Sequence, residues 1–126
     1  MTKPTYEDAN LMLQLAQWAT ALGYAEATDW LWSDDFISDY AEFKKKHPRG
    51  SKGSLYVRNI CMFFETLGTL YKQGLFNEDL LFDWLMITSV WDRIKGYTLG
   101  VREELGVPQL YENFEAMAEV QQKRAA

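Results

Sequence analysis

The stretch LYVRNICMFFETLGTLYKQGLFNEDLLFDWLMITSVW, Leu55 to Trp91, is apolar on nearly every side of a helix drawn through it. One turn interrupts it: Gln73-Gly74-Leu75-Phe76-Asn77-Glu78-Asp79. Helices this apolar must be covered by protein, so the stretch predicts two central helices, Leu55–Gln73 and Glu78–Ile94, packed as an antiparallel pair inside amphipathic partners. At about 100° per residue, Tyr56, Ile60, Phe63, Phe64, Leu67 and Tyr71 share one face of the first. Asn77 is placed to cap the second, with Glu78 and Asp79 against the positive end of its dipole. Leu80, Trp84, Ile87, Thr88 and Trp91 form its main face. Phe82, Met86 and Val90 give it a second apolar face, the mark of a helix that is central or at an interface.

The same logic extends outward. Thr5 with Asp8 three residues later reads as a variant capping box opening a helix over Tyr6–Leu22, with Met12, Leu15, Ala16, Ala19 and Leu22 as its stripe and Gly23 as its stop. A short helix over Ala25–Trp32 follows. Ser33 is read as the cap of a further helix carrying Asp34, Asp35, Phe36, Ile37, Tyr40 and Phe43 and closing on Lys44-Lys45-Lys46. His47 to Gly53 is loop, because Pro48, Gly50 and Gly53 oppose helix. Ser54 is expected to cap Leu55–Gln73. Helix is expected to continue over Tyr97–Leu105 despite Gly96 and Gly100, Gly106 to end it, and Pro108 to start a last helix with Leu110, Phe114 and Met117, fraying over Gln121–Arg124. Strand signals are nearly absent. The fold predicted is all-α, a single-domain helical bundle of five to seven helices over residues 1–126.

Composition narrows the function classes. The chain of 126 residues is 48% hydrophobic and 25% charged, as expected of one globular domain that needs no metal or disulfide to hold it together. Aromatics at 15% lean toward an association surface. A net charge of −5 opposes binding to nucleic acid or anionic membrane, although five of thirteen cations fall between Lys44 and Lys52. That basic segment has a helix-terminal explanation and carries no interleaved aromatic platform, so nucleic acid is not an expected partner. Cys61 is alone, which fits a reducing compartment. No signal-peptide pattern and no apolar run of about 20 residues is read, so no membrane span and a cytoplasmic location are expected.

Catalytic chemistry is poorly provided for. His47 is the single histidine, so di-iron and zinc ligand sets are short of members, and neither a nucleophile elbow nor a phosphate loop is spaced correctly. No catalytic, cofactor-binding or metal residue is assigned. Glu65 is the polar position of most interest, about 150° from the centre of the apolar face of its helix. It is read as a solvated stripe with Arg58, Thr69 and Lys72, as a carboxylate buried by another helix and held by Arg58, Arg93 or Arg102, or as a catalytic glutamate. Trp30 and Trp32 lie about 200° apart on a helix, so one is core or staple and the other can face a partner.

Phe63-Phe64-Glu65, then Gly74-Leu75 with Glu78-Asp79-Leu80-Leu81, then Trp91, then Leu110-Tyr111-Glu112-Asn113-Phe114-Glu115 follow one arrangement in one order. Over about Leu55 to Glu119 this is similar to a family of small helical bacterial and phage proteins, the domain of unknown function DUF4760. The resemblance implies an all-helical domain without assigned activity and supplies no catalytic residue. It marks Glu65, Trp91, Tyr111, Asn113 and Glu115 as positions to test. Many relatives have an N-terminal membrane segment, and none is read at the start of this chain.

These readings lead to three expectations. The first is a non-enzymatic, self-associating protein-interaction module, with Phe82, Met86, Val90, Trp30 and Trp32 as candidate interface and Arg58, Glu65, Tyr111, Asn113 and Glu115 as a structural polar network. A small-molecule or enzymatic pocket would instead bring Glu65, Tyr111 and Glu115 together with an arginine around a cavity. An acidic regulator of a nucleic-acid-handling complex would present Asp29, Asp34, Asp35 and Asp39 as one patch.

Overall fold

The apolar stretch resolves into three helices rather than two. The computed structural model describes residues 3–125, and among them it holds seven helices and no strand. They are α1 (Tyr6–Ala21), α2 (Tyr24–Leu31), α3 (Tyr40–Lys46), α4 (Lys52–Lys72), α5 (Glu78–Trp84), α6 (Ile87–Leu105) and α7 (Glu112–Ala125). No helix among the described residues is long and apolar enough to cross a membrane.

Caps written into the sequence start several of them. Thr5 and Asp8 form the reciprocal capping box of α1, and the second oxygen of Asp8 accepts the Asn77 amide at 3.1 Å, tying the start of α1 to the start of α5. Asn77 caps α5 through the Leu80 amide, and Gly106, at φ +67°, ends α6. Gly96 and Gly100 sit inside α6 without breaking it, as expected.

Elsewhere the boundaries move. Residues 33–38 are not helical; α3 begins only at Tyr40, with Asp39 accepting the Glu42 amide. Ser33 instead turns the chain, its hydroxyl donating to the Trp30 carbonyl and accepting the Asp35 amide. The segment is held open from outside: Arg93 of α6 takes the Leu31 and Ser33 carbonyls at 2.8 and 3.0 Å. A Cβ on Gly96 would stand 2.6 Å from the Ser38 carbonyl oxygen, so these backbones meet only because position 96 is glycine. Ser51, not Ser54, caps α4, and Gly53 lies in its first turn under the His47 ring. Pro108 falls in a turn and α7 starts at Glu112, because Tyr111 takes a left-handed φ of +59°.

The largest departure is at Leu85–Met86, where the expected helix Glu78–Ile94 is cut in two. Leu85 is extended, at φ −125° and ψ 140°. Its interrupted hydrogen bonds are taken over by α7. The Gln121 amide group donates to the Leu85 carbonyl at 2.7 Å and the Phe82 carbonyl at 3.4 Å, while its oxygen accepts the Thr88 amide at 2.8 Å. The Thr88 hydroxyl donates to the Ala118 carbonyl at 2.6 Å. A backbone break in a half-buried place needs such replacements, and here one side chain supplies both polarities.

Helix α4 remains central, as its sequence predicts, but its main neighbours are α2 and α7 rather than a continuous second apolar helix. Thr88 meets Ala118 and Gln121 while Arg102 meets Leu110 and Glu115, so α6 and α7 run antiparallel. Ile60, Phe63, Phe64 and Leu67 of α4 are fully enclosed together with Leu31, Leu81, Ile87, Ile94, Phe114 and Met117. Phe64 stacks on Phe114 with centroids 4.9 Å apart, and Trp91 meets the same ring edge-on at 5.1 Å; such pairs add about 1 kcal/mol each beyond area burial. Gly68 brings α7 close, since a Cβ there would lie 2.6 Å from the Asn113 carbonyl oxygen.

Candidate functional site

Of the polar positions singled out in the sequence, Glu65, Asn113 and Glu115 meet as a clamp on the start of α7, with Tyr111 at its edge, and Arg58 stays outside it. On the α4 side, one Glu65 oxygen accepts the Phe114 amide at 2.9 Å and the other the Asn113 side-chain amide at 2.9 Å. Asn113 also reaches the Thr69 hydroxyl at 3.3 Å. On the α6 side, Arg102 donates through Nε to the Leu110 carbonyl at 2.7 Å and pairs through Nη1 with Glu115 at 2.9 Å. Its guanidinium lies 5.7 Å from the centre of the Trp91 ring, and its Nη2 is buried without a hydrogen-bond partner. Tyr111 sits between these holds, and burial pushes its hydroxyl up to about 12.

None of the sequence readings of Glu65 is therefore complete. The carboxylate is half-buried by another helix, but what holds it is the positive end of α7, not an arginine. Arg58 is exposed, Arg93 is spent on the Leu31 and Ser33 carbonyls, and Arg102 belongs to Glu115. Glu65 and Glu115 grip α7 from opposite neighbours, and each is occupied by its own partner. That arrangement orients a helix; it offers no pair of free carboxylates facing a common substrate.

The predicted interface residues separate into two groups. Trp30 is a staple, its indole N–H donating to Asp35 at 2.7 Å and its ring packed on Phe36, Phe43, His47 and Tyr56. Phe82 packs on Tyr71 with Arg124 above it, and Val90 is only 7% exposed. The second apolar face expected from Phe82, Met86 and Val90 is thus not one surface, because the break at Leu85–Met86 turns its members apart. Met86 is 74% exposed at the joint of α5 and α6, and Trp32 is 55% exposed after α2. Arg93 of α6 lies 5.6 Å from the Trp32 ring centre.

Beside this joint is a hollow of about 300 Å³ lined by Ala16, Ala19, Tyr24, Phe63, Trp84 and Leu85, with Thr20 and Glu26 at its edge. Burial raises the Tyr24 hydroxyl above its ordinary value. Leu13, 59% exposed, shares the flank of α1 that carries Ala16 and Thr20. The sequence reading did not mark the hollow. Leu13 was the available signal, as an apolar residue outside the stripe of its own helix. A larger hollow of about 650 Å³ between α3 and α6 is ringed by Asp39, Lys44, Glu103 and Glu104, and its glycines are occupied in packing Ser38 and Tyr40.

Charge is mostly settled locally. Lys44 pairs with Glu104, Lys45 with Glu42 at 3.4 Å, Lys46 with Asp35 at 3.0 Å and Lys52 with Glu26 at 3.8 Å. Four of the five cations of the basic segment are thus paired within the fold, and Arg49 has no ion pair among the described residues. Of the acids considered as a patch, Asp35 is held by Trp30 and Lys46, which keep its carboxyl below the usual range, and Asp39 caps α3.

Residues 5–121 match the family described as Domain of unknown function (DUF4760), and the chain belongs to it. The match reaches nearly the whole chain rather than only the half from which the resemblance was read. No curated protein and no solved structure matches the chain.

Proposed function

We propose that this DUF4760 member is a non-enzymatic protein-interaction module, cytoplasmic and of bacterial or phage setting, that docks a protein through the face around the α5–α6 joint. The observation carrying this reading is Met86, 74% exposed at the α5–α6 joint and next in the chain to Leu85, which lines the apolar hollow. Met86 adapts its shape to a partner, and Trp32 offers a rigid ring already backed by Arg93. Enclosing such a side chain fully contributes about 1.5–3 kcal/mol.

The rival readings draw less support. A pocket built on Glu65, Tyr111 and Glu115 would need those carboxylates free, yet α7 and Arg102 occupy them. A phosphate-mimicking acidic patch would need Asp35 and Asp39 free, yet Lys46 and the start of α3 occupy them.

Site-specific photo-crosslinking in the native host tests the proposal. A photoreactive residue at position 86 is expected to give discrete protein adducts, and one at the exposed Leu105, at the far end of α6, none. No adduct from position 86 would refute it.

A further inference from the structure

The hollow of about 300 Å³ between α1, the start of α2 and the α5–α6 joint has three aromatic residues in its wall, Tyr24, Phe63 and Trp84. Their rings are fixed by other rings. Phe63 is enclosed, with Trp18 at 5.5 Å and Tyr24 at 5.2 Å between ring centres, and it meets Trp84 edge-on at 6.5 Å. Trp84 also meets Phe76 at 6.4 Å. Where α1 borders the space it presents two alanines, Ala16 and Ala19, and a larger side chain there would fill it. The walls are therefore set before anything enters. An apolar cavity of about 150 Å³ already holds benzene, and aromatic rings attract one another beyond the area they bury.

Charge narrows the kind of occupant. Among the described residues no cation lines the hollow. Glu26 is the acid at its edge, and its carboxylate already accepts the Tyr56 hydroxyl and has Lys52 at 3.8 Å. A charged molecule would lose hydration there without a free counter-charge to meet it. The hydroxyls narrow it further. That of Thr20 is spent on the Ala16 carbonyl at 3.1 Å, whereas that of the half-buried Tyr24 has no hydrogen-bond partner among the described residues. Tyr40, Tyr56 and Tyr71 give theirs to Glu104, Glu26 and Glu78. Apolar and aromatic walls with a few polar groups among them are what small-molecule sites consist of. We propose that the hollow binds an uncharged aromatic molecule of one or two rings, carrying one acceptor atom that takes the Tyr24 hydroxyl. The proposal goes beyond the protein-interaction reading and does not depend on it, because it concerns the hollow and not Met86.

Titrations of the full-length protein followed by nuclear magnetic resonance at pH 8 test it with three probes. Quinoline has a ring acceptor, naphthalene has none, and 2-naphthoate is charged. Quinoline is expected to shift the Trp84 indole and Ala19 methyl signals with a Kd below about 1 mM, and 2-naphthoate to bind about tenfold more weakly or worse. Tyr24→Phe should weaken quinoline about three- to tenfold and leave naphthalene unchanged. Ala16→Leu should fill the hollow and abolish the shifts with unchanged far-UV circular dichroism, while Ala21→Leu, at an exposed position of α1, should keep full binding. No shift from quinoline, 2-naphthoate binding as tightly as quinoline, or full binding to a folded Ala16→Leu overturns the proposal. So does a Tyr24→Phe protein that binds quinoline as the parent does, which keeps the test decisive if Ala16→Leu fails to fold. If these results fail while position 86 still crosslinks a protein in cells, the ligand inference falls and the interaction reading stands. Binding without any crosslink gives the reverse.

Discussion

Replacing Glu65 with alanine should loosen the start of α7 by an amount the structure allows one to estimate. The carboxylate accepts two hydrogen bonds, one from the Phe114 amide and one from the Asn113 side chain, both at 2.9 Å. Hydrogen bonds to a charged group are worth about 1.5–3 kcal/mol when buried. The half-exposed site lets water recover part of that, while the loss of a carboxylate at a helix N-terminus costs about 0.3–1 kcal/mol. The net expectation for Glu65→Ala is about 2 kcal/mol, or a Tm lower by about 6–10 °C for a domain of this size. Glu65→Gln keeps an acceptor but not the charge, and should cost about half as much. Arg58→Met should stay within about 0.5 kcal/mol, because Arg58 is exposed and not the partner of Glu65. Urea denaturation followed by circular dichroism measures all three, and amide exchange at Phe114 should speed up in Glu65→Ala before any global loss. If Glu65→Ala unfolds within 0.5 kcal/mol of the parent, or if Arg58→Met costs as much, the clamp reasoning is refuted.

Other substitutions probe other joints. Gly96→Ala drives a Cβ to within 2.6 Å of the Ser38 carbonyl oxygen and should destabilise by about 1–2 kcal/mol despite alanine's better helix propensity; a stabilised variant in urea denaturation would contradict the packing described. Gln121→Leu leaves the Leu85 carbonyl and the Thr88 amide unpaired at the α5–α6 break and should cost about 2 kcal/mol, with faster amide exchange at Thr88 as its local sign. Acid should destabilise the fold through Asp8, Asp35 and Glu104, whose carboxyls are held low chiefly by hydrogen bonds from the Thr5 backbone, the Trp30 indole and Lys44. A carboxyl lowered by folding contributes stability above its unfolded pKa and loses it as pH falls through the folded value, so Tm should drop from about pH 4 downward. Asp35→Asn should flatten that drop, and a Tm independent of pH between about 5 and 2 would contradict it.

What the sequence revealed and what it hid divide along the range of the interactions. Thr5, Asn77 and Gly106 act within a few residues of themselves, and each was read in its proper role. The all-helical class followed from apolar spacing, which α4 obeys from Ile60 to Leu67. The break at Leu85–Met86 left no mark on that spacing because Gln121, 36 positions away from Leu85, satisfies the backbone there. Residues 33–38 looked helical for the same reason, since Arg93 and Gly96 hold them open from another helix. The partner of Glu65 is hidden in the sequence, because a backbone N–H at a helix start carries no letter there. The family match over the first half was likewise hidden, because α1 and α2 are marked by spacing shared with any amphipathic helix rather than by a short motif.

The bracing of the α5–α6 joint by Gln121 also decides what opens together. Its one side chain satisfies both the Thr88 amide and the Leu85 carbonyl, so α7 cannot lift from the bundle without baring two backbone groups of its neighbours. The C-terminal turns of α7 and the joint are therefore expected to exchange their amide hydrogens as one unit.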